Sequence, residues 1–149
     1  MTLNPFDPKT VFLAKHAQHI VLIHFPIALF TVAVVFDCLS QCRKNQTLAA
    51  AAYLNIVIAA ASTLPVVATG VIAWQWALEG QRLKGILLAH LILGCIVSAL
   101  IWIVFRIHSQ ARHHEDKPLP TYRLPIEALA VLLVGLTAHL GGILSGVNK

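Results

Sequence analysis

Histidines are the polar residues of this chain that could do chemistry. The sequence has eight histidines but six acidic residues, although 58% of its residues are hydrophobic and only 11% are charged. His24, His90 and His139 lie inside long apolar segments. An ionisable side chain in such a segment is costly and points to a function. Neutral imidazoles are ligands of haem iron, copper and zinc, so we expect one of these groups.

The apolar segments that must position these histidines have the length of membrane spans. They cover about residues 20–41, 48–78, 85–107 and 124–147, and about 20 apolar residues suffice to cross a bilayer. The mean hydropathy of +0.77 excludes a water-soluble globular protein. We therefore predict an all-α fold: an integral membrane four-helix up-and-down bundle, one domain over residues 1–149, with both termini on the same side.

Depth along the spans predicts that three histidines meet. We call the end of the bundle with the termini side A and the opposite end side B. At about 1.5 Å of rise per residue, the depths of His24, His90 and His139 below side A agree within several ångströms. Three helices could therefore bring three imidazoles into one layer. His19 lies about five residues nearer side A, turned about 140° from His24, so we expect it at the edge of a cofactor.

Small residues accompany this histidine layer. Gly135 and Gly142 share a face of the fourth span with His139, and Gly94 lies one turn from His90. Such residues leave room for a flat macrocycle, but they also serve close helix packing. We expect haem b with two axial histidines first. A copper or zinc site with three histidine ligands, and histidines that bind no cofactor, remain alternatives.

Two carboxyl groups form a second predicted site. Asp37 and Glu127 both lie about 18 to 20 Å from the histidine layer toward side B. They could form a proton relay or hold the head group of a quinone. Alternatively, they could pair with basic side chains near the span ends. The candidates are Arg43, Arg106 and Arg123.

The remaining residues favour no other function. His16 lies in the N-terminal flank. We place His108, His113 and His114 in the third connecting segment and assign them no role. The three cysteines form no C-x-x-C motif, and the basic residues are scattered, which excludes a nucleic-acid-binding patch. We find no nucleophile constellation, phosphate-binding loop or paired catalytic carboxylates, so we expect no autonomous enzyme activity.

The charges flanking the spans predict an orientation. Side B carries six basic residues and side A five, so the positive-inside rule favours a cytoplasmic side B and periplasmic termini. The first ten residues contain no basic n-region and no cleavage site. We therefore expect the first span itself to direct insertion.

Several segments resemble one bacterial family of four-span membrane proteins, catalogued as domain of unknown function 2231. They are HIVLIHFPIAL at 19–29, Asp37, ATG at 68–70, His90 and HLGG at 139–142, and HFPIAL is the most specific. This chain has His19-Ile20 where the family commonly has His-Pro. The resemblance implies roles for His24, Asp37, Gly141 and Gly142. Members of the family are often joined to, or encoded near, Rieske or cytochrome c proteins. The resemblance therefore also implies membrane electron transfer.

Together these features predict a haem b-binding electron-transfer subunit of a larger respiratory or redox complex in the bacterial inner membrane. Two of His24, His90 and His139 would ligate the iron. The expected partners are other membrane subunits, a c-type cytochrome or Rieske protein, and quinone. The alternative is a cofactor-free structural or assembly subunit. A transporter that uses Asp37 and Glu127 is less favoured, because the sequence has no internal repeat.

Overall fold

Four long helical segments make up the bundle. The computed structural model describes residues 17–76, 78–113 and 119–146, and the statements below concern these residues. The helices are α1 (Ala17–Leu22), α2 (His24–Arg43), α3 (Gln46–Trp76), α4 (Gly85–His113) and α5 (Arg123–Leu144). Span 1 comprises α1 and α2, and spans 2, 3 and 4 are α3, α4 and α5. All four are long and apolar enough to cross a membrane, which confirms the predicted all-helical, four-span fold.

The spans pack in chain order around one core. Span 1 contacts spans 2 and 4, and span 3 contacts the same two. Each span contributes a stripe of buried residues spaced three or four apart, the period of one helix face. The stripes include Phe30, Ala33 and Asp37 of span 1; Ile56, Ala59, Ala60 and Thr63 of span 2; Val97, Ile101, Val104 and His108 of span 3; and Arg123, Glu127, Ala130 and Val134 of span 4.

Small side chains set the distance between the spans. Alanines make up nearly half of the buried apolar residues, with Ala33, Ala59 and Ala130 fully buried. Small residues let helix backbones approach closely, and in a bilayer this packing replaces the hydrophobic effect as the force between helices. Many larger apolar residues, among them Leu54, Leu64 and Leu132, are exposed, as expected for a surface that faces lipid.

Proline has different effects in spans 1 and 2. Span 1 is interrupted at Ile23, three residues before Pro26, whose ring nitrogen cannot donate to the carbonyl of Leu22. The break separates α1, which carries His19, from α2. Pro65, in contrast, lies inside the uninterrupted helix α3.

The third span is longer than predicted. It continues to His113, six residues beyond the predicted end at 107. The prediction that His108 and His113 lie in a connecting segment is therefore wrong. His114 and the acidic residues after it lie outside the described residues. The extension follows from the buried stripe, because His108 continues the helical spacing of Val97, Ile101 and Val104.

Candidate functional site

A buried ion pair links spans 1 and 4 near side B. The Nε and Nη2 groups of Arg123 donate to Oδ2 of Asp37 at 3.0 and 2.9 Å. The Nη1 group of Arg123 donates to the carbonyls of Pro120 and Leu119 at 3.1 and 3.4 Å. Arg123 is 2% exposed and Asp37 is 1% exposed. Of the three arginines predicted as partners for the carboxyl groups, Arg123 is the one that pairs with Asp37.

The second carboxyl group has a histidine partner instead. Oε1 of Glu127 lies 2.8 Å from Nε2 of His108, and neither side chain is more than 4% exposed. This contact joins spans 3 and 4, so His108 is a buried partner of Glu127. His108 was not among the predicted site residues, although its spacing from Val104 continues the buried stripe of span 3.

These four residues form one group, which we call the side-B cluster: Asp37, His108, Arg123 and Glu127. Asp37, His108 and Glu127 each offer a ligand atom within 4.8 Å of the others, and within the described residues no other trio of His, Cys, Asp or Glu does so. Two oxygens of the cluster, Oδ1 of Asp37 and Oε2 of Glu127, are buried without a hydrogen-bond partner. Unsatisfied buried carboxylate oxygens are costly, so the cluster can hold a further positive charge.

An opening at side B lies beside this cluster, and Arg123 is the cluster residue in its lining. Its lining includes Ser40, Gln41, Lys44 and Arg123. Gln41 donates from Nε2 to Oδ2 of Asp37 at 3.4 Å. Two residues of the lining, Gln41 and Arg123, therefore contact Asp37 directly.

His90 occupies a defined position between spans 3 and 4. Its Nδ1 donates to the carbonyl of Thr137 at 3.0 Å, and the ring is half-buried. A Cβ atom added to Gly141 would lie 3.1 Å from Cε1 of His90, so the glycine lets the ring lie close to span 4. With the proton on Nδ1, the neutral ring carries its lone pair on Nε2.

The other two histidines of the predicted layer are exposed on the bundle surface. Nδ1 of His24 donates to the carbonyl of Ile20, in its own span, at 2.7 Å. Within the described residues, His24, His90 and His139 do not form a trio with ligand atoms within 4.8 Å. Gly135 is exposed, and a Cβ added there would meet open space. The carbonyl of Gly142 accepts a hydrogen bond from Ser145 at 3.0 Å.

His19 is positioned between spans 1 and 2 much as His90 is between spans 3 and 4. Its Nδ1 lies 3.1 Å from the carbonyl of Val66 and 3.3 Å from Oγ1 of Thr69. A Cβ added to Gly70 would lie 3.0 Å from Cε1 of His19. The ATG segment at 68–70 therefore provides the surface on which this histidine packs.

Comparison with known proteins places the chain in a family. A family model described as a predicted membrane protein, DUF2231, matches residues 15–148. The chain belongs to this family. The match covers all four spans, both interhelical histidines and the whole side-B cluster. No curated protein and no solved structure is significantly similar to this DUF2231 chain.

Proposed function

We propose that this DUF2231 protein is a membrane-embedded, haem b-binding electron-transfer subunit of a larger redox complex. His90 is one axial ligand, and either His24 or His139 is the other. The observation that carries this proposal is the position of His90, whose ring is held across two spans by Thr137 and Gly141.

The hydrogen bond of His90 suits a metal ligand. Histidines that ligate a metal usually donate their other ring N–H to a carbonyl or carboxylate, which fixes the tautomer and the ring orientation. His90 donates from Nδ1 to the carbonyl of Thr137, so Nε2 is the nitrogen that would face the iron. His24 also donates from Nδ1 to a carbonyl, which gives it the same tautomer. When bound, haem b supplies a one-electron iron centre.

The distribution of charge supports the proposed location in the bacterial inner membrane with side A periplasmic. In the full sequence, side B carries six basic residues and side A five. Basic residues concentrate in cytoplasmic segments. The histidines lie toward side A, so the electron partner there is a c-type cytochrome or Rieske protein, with quinone or another membrane subunit as the second partner.

The test is the haem content of purified histidine variants. We expect His90→Ala, and either His24→Ala or His139→Ala, to lose haem more completely than His19→Ala, because His19 lies outside the proposed ligand set. His113→Ala is the matched control, since His113 is an exposed histidine at the side-B end of span 3, and it should keep the wild-type haem-to-protein ratio. Wild-type haem content in His90→Ala would refute the proposed ligand. A folded, haem-free wild-type chain that co-purifies with larger membrane subunits would support the assembly role instead.

A further inference from the structure

We propose that Asp37 and Glu127 share one buried proton, and that the side-B cluster is a proton-exchange site that opens to the side-B surface. This inference is independent of haem binding. It rests on the charge balance of the cluster, on its two unpartnered oxygens and on the opening beside Arg123.

The charge balance calls for one additional positive charge. The cluster has two carboxyl groups, one guanidinium and one imidazole. With both carboxyl groups ionised and His108 neutral, its net charge is −1, and an uncompensated charge in the interior of a membrane bundle is strongly unfavourable. One proton brings the sum to zero. On His108 that proton would leave Oδ1 of Asp37 and Oε2 of Glu127 without partners, and a divalent cation would leave an excess charge of +1.

The hydrogen bonds indicate where this proton lies. Arg123 donates twice to Oδ2 of Asp37, so we assign the additional proton to the other carboxyl group. His108 donates from Nε2 to Oε1 of Glu127. The oxygens left without partners are Oδ1 of Asp37 and Oε2 of Glu127. A proton on Oε2 lets Glu127 donate to Oδ1 of Asp37, directly or through one water molecule, and both oxygens are then satisfied.

Within the described part of the chain, the charged residues outside the cluster are all exposed, including Lys44 in the lining of the opening. Span 2 contains no Asp, Glu, His, Lys or Arg between residues 46 and 76. Its Tyr53 lies under the guanidinium of Arg112, 4.5 Å from the ring centroid, so Arg112 is engaged away from the cluster. Arg106 of span 3 is exposed, as is Cys38 of span 1. The four cluster residues therefore set their own protonation.

The opening provides the exchange route. Gln41 and Arg123 line it, and both bond to Asp37. A hydronium ion in the opening can pass its proton to the carboxyl pair and remain as water, and the reverse step returns the proton.

Infrared spectroscopy of the full chain in lipid nanodiscs at neutral pH tests this proposal. We expect the carbonyl stretch of one protonated carboxyl group, and we expect it to shift when water is exchanged for D2O. Glu127→Gln should remove this band. Asp37→Asn should also remove it, because Arg123 would then need Glu127 as its ionised partner. The matched control is Glu79→Gln, which changes an exposed glutamate between spans 2 and 3 and should leave the band unchanged.

Glu127→Gln also separates loss of the proton from loss of the fold. The amide of Gln mimics a protonated Glu, since its NH2 can donate to Asp37 and its carbonyl can accept from His108. This variant should therefore unfold thermally near the wild-type temperature. Absence of the band in the wild type, or its persistence in Glu127→Gln, would overturn the shared proton. A band that does not shift in D2O would overturn the exchange route. Stoichiometric non-haem metal that is lost in Glu127→Gln would overturn the proposal in favour of a metal site.

Discussion

At the scale of single residues, the strongest constraint is the ion pair between Asp37 and Arg123. Both side chains are almost fully buried, and the guanidinium donates to one carboxylate oxygen and to two carbonyls. Removal of one partner from such a pair leaves an uncompensated charge, which typically costs about 3 to 5 kcal/mol of folding free energy. Removal of both partners costs much less.

We therefore predict that Arg123→Met lowers the free energy of unfolding by about 3 to 5 kcal/mol, measured by denaturation in detergent. The double variant Asp37→Leu, Arg123→Met should recover most of this loss, because no buried charge then lacks its partner. Additive losses in the double variant would show that the two side chains do not act as a pair.

The sequence predicted some residues of this cluster and missed another. Asp37, Glu127 and Arg123 could be found because charged residues inside or beside an apolar segment are conspicuous. His108 was missed because it follows Arg106 and precedes a polar stretch, which suggests the end of a span. Which partner each carboxyl group selects depends on the rotation of three helices, and composition does not reveal that rotation.

At the scale of helices, the two interhelical histidines depend on glycines of the neighbouring spans. His19 packs on Gly70 and His90 packs on Gly141, and in each case an added Cβ atom would lie 3.0 to 3.1 Å from the ring. Contacts this short require the ring or the helix to move. Small residues at these positions therefore determine how closely spans 1 and 2, and spans 3 and 4, approach each other.

Gly141→Ala and Gly135→Ala form a matched pair of variants in span 4. We expect Gly141→Ala to displace the ring of His90, and so to lower both the thermal unfolding temperature and the haem content. Gly135→Ala should leave both unchanged or raise stability slightly, since a Cβ there meets open space and alanine is the better helix former by up to about 1 kcal/mol. Equal effects of the two substitutions on haem content would argue against the role of Gly141.

The helices themselves were well predicted, and their rotation was not. The starts of spans 2, 3 and 4 lie within two residues of the predicted positions, because runs of apolar residues determine where a span must lie. Counting the rise per residue gives the depth of His24 and His139 but not the direction in which they point. The structure places both on the exposed surface, whereas His90 is half-buried and donates to the carbonyl of Thr137 in the neighbouring span.

At the scale of the whole molecule, the bundle has two polar centres at opposite ends. His19, His24, His90 and His139 lie toward side A, and the side-B cluster connects spans 1, 3 and 4 at the other end. The exposed apolar residues between them suit the hydrocarbon region of a bilayer. The proposed haem site and the proposed proton site are therefore separated along the membrane normal.

The orientation of the molecule gives a further prediction. Reporters active only in the periplasm should be active when fused after Lys149 or inserted near Glu79, and inactive when inserted between spans 1 and 2. The reason is the excess of basic residues at side B, six against five at side A, because basic residues favour the cytoplasmic side. The reverse pattern of reporter activity would place the side-B opening in the periplasm.

The absorption spectrum of the purified wild-type chain, recorded oxidised and then reduced, tests the proposed function most directly. We predict a Soret band and a sharp α-band on reduction, as expected for haem b with two histidine ligands, with both bands lost in His90→Ala. A folded preparation that shows no Soret band, even after addition of haem, would contradict the central claim.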